Sequence, residues 1–330
     1  MAELVRVGIA SYASYLPEKV LTNADMERIV DTSDEWITRR TGIKERRRVA
    51  ESETNSDMAA VVASSCLERA GVSAEDLDVV IVSTITPDRL LPSAACMLQA
   101  KIGAVNAAVF DVVAACSGFI YGLFTGSALV ASGAAKNVLV IGSEVLTSIA
   151  NWRDRTTCVL FGDACGGVLL QPWREGHHEL LAVDAGADGT AADLLTIRAG
   201  GQELPLTHEL LDENAHKVFM DGKAIFKRAI RTMVATTKKA LSKCGLTPAD
   251  VTWLVPHQAN VRILTSTARE LGIPREQVFI NIEHVGNTSS ASVPVALAEA
   301  ADKGLFREGD VICMCAFGGG LTWGAAVVRW

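Results

Sequence analysis

Three side chains have types and settings suited to acyl chemistry: Cys116, His257 and Asn287. Cys116 stands in Asp111-Val-Val-Ala-Ala-Cys-Ser-Gly-Phe119, between an apolar run of strand length and a small-residue run that reads as a helix. A cysteine at such a turn lies near the free N–H groups and partial positive charge of a helix start, which favour thiolate over thiol. A thiolate attacks thioesters and carbonyls. The bland alternative is a small buried apolar residue, the usual fate of a free cysteine. His257 closes Trp253-Leu-Val-Pro-His and precedes Gln258-Ala-Asn260. A histidine at the carboxyl end of a parallel strand is on the side where α/β active sites form, and its alternative is a satisfied core or turn residue. Asn287 lies in Val285-Gly-Asn-Thr-Ser-Ser-Ala-Ser-Val-Pro294, where the alternative is a helix N-cap. A fourth stretch, Phe317-Gly-Gly-Gly-Leu-Thr-Trp-Gly324, lets backbone N–H groups approach a ligand and form an oxyanion hole. A phosphate loop is the rival there, but the GxxxxGK-Ser/Thr pattern does not occur.

The surrounding pattern alternates strand and helix. Apolar runs at Leu77–Thr84, Ala107–Val113, Asn137–Gly142, Thr252–Val255, Val278–Ile282 and Val311–Ala316 read as strands. Helical patterns lie between them, as in Met58–Ala70, Ala229–Lys243 and Gln258–Leu271. Continuous apolar strands separated by helices indicate parallel sheets covered on both faces. The chain also repeats itself. A helix ending at Gly71 and leading into a strand has a counterpart at Gly245, 174 positions later, and Phe110 matches Phe279 at an offset of 169. A third pair is Phe161-Gly-Asp-Ala-Cys-Gly-Gly with the stretch from Phe317. These ordered matches divide the chain into halves, 1–172 with the cysteine and 173–330 with the histidine and asparagine. The smaller offset carries Cys116 to within two residues of Asn287, so the two lie on equivalent turns. The segment Trp173–Val218 breaks the repeat and reads as loops with short strands over the site.

Bulk composition narrows the class. The 330 residues are 49% hydrophobic and 21% charged, with a net charge of −7, which argues for globular halves and against a nucleic-acid partner. Glu3 and Arg6 interrupt the first residues, so no signal peptide is expected. Val112–Ala135 carries no charge, but its glycines and serines suit a buried core helix better than a membrane span. Eight cysteines without a CxxC pair fit a reducing cytoplasm. The six histidines form no metal-ligand spacing, and no GxGxxG opens a strand–helix unit, so neither metal nor dinucleotide is expected. Lys223, Lys227 and Arg231 recur on one helical face, a stripe for an acidic partner or simply a solvated face. Thr32-Ser-Asp-Glu35 reads as a capping box before Trp36, and the cluster Lys44, Arg46, Arg47 and Arg48 follows. Trp36 beside Arg could hold an adenine and a phosphate.

The motifs AACSGF around Cys116, PHQAN around His257, GNTSSAS around Asn287 and FGGGLTWG near the end resemble those of β-ketoacyl-acyl-carrier-protein synthase III, a thiolase-like condensing enzyme family. DTSDEWITRRTGI near the start extends the likeness over essentially the whole chain. The resemblance implies a duplicated five-layer αβαβα fold and a cytoplasmic homodimer. It implies a decarboxylative Claisen condensation of an acyl-CoA primer with malonyl-acyl-carrier protein that initiates fatty acid biosynthesis. No cofactor is implied beyond the coenzyme A thioester as substrate, and neither nucleic acid nor membrane is a partner. By the same likeness Cys116 carries the acyl group, and His257 and Asn287 serve decarboxylation. The N–H groups of Cys116 and Gly319 form the oxyanion hole. Trp36, Arg40, Arg155, Phe226, Ala259 and Asn260 hold coenzyme A, and Lys227 and Arg262 dock the carrier protein. Two residues depart from patterns seen in some relatives: Leu91, where a Phe reaches the partner's acyl pocket, and Lys223, where an Asn lies beside the pantetheine arm.

Other readings stay open at this stage. They are a specialised-metabolism acyltransferase, a thiolase or hydroxymethylglutaryl-CoA synthase, a silent carrier-protein-binding scaffold, and a cysteine protease. A thiolase needs a second cysteine in its late glycine motif, and Phe317–Gly324 contains none.

Overall fold

The computed structural model describes residues 4–330, so the reading at Glu3 lies outside the described residues. Nine strands build the main sheet: β1 (Val7–Tyr15), β2 (Val79–Ser83), β3 (Ala108–Val112), β4 (Val138–Val145), β5 (Asp163–Pro172), β6 (His178–Ala187), β7 (Trp253–Pro256), β8 (Val311–Gly318) and β9 (Thr322–Arg329). Seven helices of eight or more residues accompany it among the described residues: α1 (Asp34–Thr41), α2 (Asn55–Ala70), α3 (Ala94–Ile102), α4 (Gly118–Ala131), α5 (Gly222–Lys243), α6 (Val261–Leu271) and α7 (Ser292–Asp302).

The hydrogen-bonded order is β7-β8-β9-β6-β1-β5-β4-β2-β3. Read outward from the centre, β1-β5-β4-β2-β3 and β6-β9-β8-β7 follow the same path. They join only where Val7, Gly8 and Ile9 of β1 pair with Leu180, Glu179 and His178 of β6. Helices α4 and α7 touch strands of both sets and therefore lie between them. Helices α2 and α3 cover the outer face of the first set, and α5 covers that of the second with α6 packed against it. The layers run helix, strand, helix, strand, helix. Burial dictates this: β2 and β4 are apolar along nearly their whole length and need cover on both faces.

The repeat persists in backbone detail. Gly71 and Gly245 each close a helix in the left-handed region, at φ 65° and 73°, where a side chain would be strained. Several expectations need correction. His178–Ala187, read as part of a loop-rich insertion, is a ten-residue strand and the counterpart of β1. Val278–Ile282 forms no strand: Val278 makes one bridge to Leu254. Beyond it the Gln258 amide bonds Phe279 O at 3.1 Å and Asn281 N at 3.1 Å, replacing a strand partner. The cap of α1 is Ser33, not Thr32; its hydroxyl accepts from Trp36 N at 3.2 Å. Arg46 is not part of a surface cluster. It is 0% exposed and donates to Leu21 O, Asn23 Oδ1 and Val159 O. The uncharged run around Cys116 holds α4, a 14-residue helix, and no helix among the described residues is long and apolar enough to cross a membrane.

Candidate active site

Strand β3 delivers the chain to a single turn of 3-10 helix, Ala115–Ser117, and α4 begins at Gly118. Cys116 is in that turn, one step ahead of the helix, and 8% exposed. Its equivalent in the second half is the turn Ser289–Ala291, which leads into α7. The two turns pack against each other. Here the offset between halves is 174 rather than 169, because the short helix Ile282–Val285 adds a turn to the second half. The counterpart of Cys116 is therefore Ser290, and Asn287 lies just ahead of the paired turn. Asn287 is held by its backbone, which bonds Leu160 O at 2.8 Å and Gly162 N at 3.0 Å, while its Oδ1 accepts from Ser289 N at 3.0 Å.

His257 leaves the end of β7, and its N–H donates to Cys315 O of β8 at 2.7 Å. Three residues further along, Gly318 presses on Cys116: a Cβ at 318 would lie 2.6 Å from the Cys116 nitrogen. Only glycine lets the strand pass so close. Strand β8 thus links the histidine to the cysteine, and the Ser289 turn links the asparagine to it. Burial holds His257 down to about 4, so the ring is neutral near pH 7, and its Nδ1 has no partner. Burial also pushes the Cys116 thiol up to about 12. The thiolate expected from the helix start is therefore not the resting form; desolvation outweighs the helix dipole at this depth.

A cavity of about 330 Å³ reaches Cys116. Ile85, Leu146, Ile149, Phe161, Leu195 and Val218 give it an apolar wall, and Cys116, Ser289, Gly319 and Thr322 also line it. His257 and Asn287 are buried behind this surface rather than in its wall. Of the residues expected to hold coenzyme A, Trp36 has two guanidinium groups over its ring, Arg40 at 4.9 Å and Arg155 at 5.4 Å from its centroid. Asn260 caps α6 and donates to Arg40 O at 2.9 Å. Ala259 N bonds His257 O at 3.0 Å. Phe226 and Ala259 pack against one apolar cluster, and the Arg262 guanidinium lies over the Phe226 ring at 5.5 Å. Lys227 and Arg262 are exposed, as are Lys223 and Arg231. Leu91 is 85% exposed and takes no part in the cavity wall of its own chain.

Two residues near the site escaped the sequence reading, Ser289 and Glu144. Glu144 is the one charged residue in the apolar strand β4, an available signal, and it is fully buried.

Family models for 3-oxoacyl-[acyl-carrier-protein] synthase III match residues 110–189, and those for its C-terminal part match residues 241–330. A β-ketoacyl-[acyl-carrier-protein] synthase III of Caldanaerobacter subterraneus is 49% identical over 330 residues, covering 100% of this chain and 99% of that one. One of a Roseiflexus species is 52% identical over 315 residues, covering 96% of this chain and 95% of that one. The chain belongs to the β-ketoacyl-[acyl-carrier-protein] synthase III family. It is a condensing acyltransferase of fatty acid biosynthesis with the thiolase-like fold expected from its motifs. The crystal structure of the Aquifex aeolicus synthase III superposes with a TM-score of 0.91 at 46% identity, covering 98% of this chain and 100% of that one. A priming β-ketosynthase of the R1128 polyketide pathway gives 0.92 at 32% identity, covering 100% of this chain and 98% of that one.

Proposed function

We propose that this synthase III loads an acyl group from acyl-CoA onto Cys116 and condenses it with malonyl-acyl-carrier protein. The observation that carries the reading is the apolar cavity of about 330 Å³ whose lining includes Cys116 and Gly319. An apolar chain fits its wall, and a thioester carbonyl beside Cys116 meets a sulfur. The N–H groups of Cys116 and Gly319 take the oxyanion there.

The steps follow from the chemistry of each group. The Cys116 sulfur attacks the acyl thioester, its proton leaves with the coenzyme A thiol, and the acyl group stays on sulfur. Loss of CO₂ from the malonyl unit then puts enolate charge on its thioester oxygen. Neutral His257 and the Asn287 amide donate hydrogen bonds to that oxygen, each contributing about 3 kcal/mol by analogy with oxyanion-hole donors. The carbanion attacks the acyl carbonyl, and Cys116 is expelled. A histidine held down to about 4 fits a neutral donor better than a base.

Around this core, Trp36, Arg40 and Arg155 clamp the nucleotide end of coenzyme A, and Phe226, Ala259 and Asn260 line the way for its arm. Lys227 and Arg262 receive the acidic carrier protein. Leu91 extends from one protomer toward the acyl pocket of its partner in a cytoplasmic homodimer, consistent with an apolar side chain left 85% exposed. The halves divide between Pro172, where β5 ends, and His178, where β6 begins, in keeping with a boundary at 172/173. The enzyme needs no cofactor beyond its thioester substrate. A thiolase reading is disfavoured by Cys313 and Cys315, both buried within β8 rather than at the glycine turn.

Mass spectrometry after mixing with a panel of acyl-CoAs tests the core. Acyl mass on Cys116 is expected, together with primer preference, and a chain left unmodified by every acyl-CoA overturns the reading. His257→Ala is expected to spare acylation and to slow condensation by about 10²-fold or more; loss of acylation in a folded variant would remove its assigned role.

A further inference from the structure

Behind the Ser289–Ala291 turn lies a buried carboxyl group without a cation. Glu144 is 0% exposed, and no Lys, Arg or His pairs with it among the described residues. One carboxyl oxygen, Oε2, accepts from Thr86 Oγ1 at 2.7 Å, Ile85 N at 3.1 Å and Thr84 Oγ1 at 3.2 Å. The other, Oε1, has one hydrogen bond of regular geometry, with Ser290 Oγ at 2.9 Å.

Counting hydrogens on that second contact decides the charge. Ser290 Oγ also lies 2.7 Å from Ser83 O. A serine hydroxyl has one hydrogen, and a carbonyl oxygen has none to give. If the hydrogen points at Glu144, two bare oxygens face each other at 2.7 Å. If it points at Ser83 O, the contact with Glu144 needs a hydrogen on Oε1. The second arrangement satisfies every oxygen, and it makes Glu144 a neutral acid. Burial pushes this carboxyl in the same direction, above its ordinary range.

The neighbouring hydroxyl connects this acid to the sulfur. Ser289 is 2% exposed, and its Oγ has no hydrogen bond of regular geometry. It lies beside both Cys116 and Glu144, where it favours the ionised form of each. The decarboxylative half-reaction consumes one proton: acyl-Cys116 and a malonate carboxylate become a ketoacyl thioester, CO₂ and a thiol. Expelling Cys116 as a bare thiolate is unfavourable where the thiol is pushed up to about 12.

We propose that Glu144 is held as a neutral carboxylic acid in the resting enzyme and supplies, through the Ser289 hydroxyl, the proton that Cys116 takes up as it is expelled from the condensation intermediate. The Glu144 carboxyl hydrogen turns from Ser290 Oγ toward Ser289 Oγ; the Oε1–H bond then breaks as a bond from that hydrogen to Ser289 Oγ forms. The Ser289 hydroxyl hydrogen passes to Cys116 Sγ as the carbon–sulfur bond breaks. The carboxylate left on Glu144 regains a proton from water after product leaves. The inference rests on Cys116 as the acyl carrier.

Glu144→Gln tests it. The amide can donate to Ser290 Oγ and accept from Thr84, Ile85 and Thr86, so it reproduces the hydrogen bonds of a neutral acid without its transferable proton. With acyl-CoA, fast and complete marking of Cys116 is expected. With malonyl carrier protein added, single-turnover condensation is expected to fall about 100-fold. Deuterium oxide is expected to slow condensation in the parent enzyme and to have no such effect in Glu144→Gln. Ser289→Ala, which leaves Glu144 in place, should give the same split. An infrared band of a protonated carboxyl at neutral pH, lost in Glu144→Gln, is expected independently of rates. The proposal is overturned by condensation at the parent rate, by equal losses in both half-reactions, or by absence of that band. An unmarked Cys116 in the parent enzyme would instead remove the reading beneath it.

Discussion

Ala115 and Ser289, 174 positions apart, share a left-handed backbone, at φ 45° and 48°. Each opens the turn that leads into one of the two central helices, and the turns touch. A non-glycine residue there costs on the order of 1–3 kcal/mol, which the surrounding packing must offset. Ala115→Val, with a branched Cβ in that region, is expected to lower stability by about 2 kcal/mol in urea unfolding. Ala115→Gly is expected to be no less stable than the parent. An unchanged urea midpoint for the valine variant would show that the turn relaxes without its left-handed residue.

Protonation of His257 links stability to pH. Its folded value is about 4 against an ordinary 6.5, so between those values the unfolded chain binds more protons. Stability from this group is present above pH 6.5, declines as the pH falls toward 4, and is level below that. The loss is about 3 kcal/mol. His178, stacked on Trp330 at 3.6 Å and also held down to about 4, adds to the same decline. Urea midpoints at pH 7 and pH 4.5 should therefore fall less in His257→Ala than in the parent. Equal falls would mean that His257 is not buried neutral.

Trp36, with the Arg40 and Arg155 guanidinium groups 4.9 and 5.4 Å from its ring centroid, makes an aromatic platform with two cations. Trp36→Ala is expected to raise KM for acyl-CoA about tenfold, near 1.4 kcal/mol, with kcat retained at saturation. Steady-state kinetics with varied acyl-CoA decide this, and an unchanged KM counts against the platform as a nucleotide clamp.

Lys227 and Arg262 are exposed on neighbouring helices, so the docking role proposed for them is long-range and screened. Reversing both to Glu is expected to raise KM for malonyl carrier protein at low salt, with the difference shrinking as salt is added. A salt-independent defect would point to misplacement of Phe226, which packs under Arg262, rather than to lost attraction.

How much was legible follows from which forces were local. The alternation of β2, β3 and β4 with helices was plain because each strand is apolar along its length and bounded by turns. Strand β6 was hidden because only Leu180 and Asp184 of its residues are buried, leaving no period-two apolar pattern, and pairing with β1 and β9 holds it. Val278–Ile282 looked like a strand by residue type, yet the Gln258 side chain captures its backbone, which no propensity encodes. At the site, the residue types of Cys116, His257 and Asn287 were readable, whereas their electrostatics were not. The helix start argued for a thiolate; burial, set by distant parts of the chain, argues the other way. Glu144 shows the same limit, since its partners Thr84, Thr86 and Ser290 come from two other segments.

The depth of Cys116 has a consequence for survival under oxidative stress. Peroxides attack the ionised sulfur, and attack depends on access. At 8% exposure and with its proton retained, this sulfur is shielded from sulfenic acid formation between turnovers. Its vulnerable interval is confined to the moments when substrate chemistry itself strips the hydrogen away.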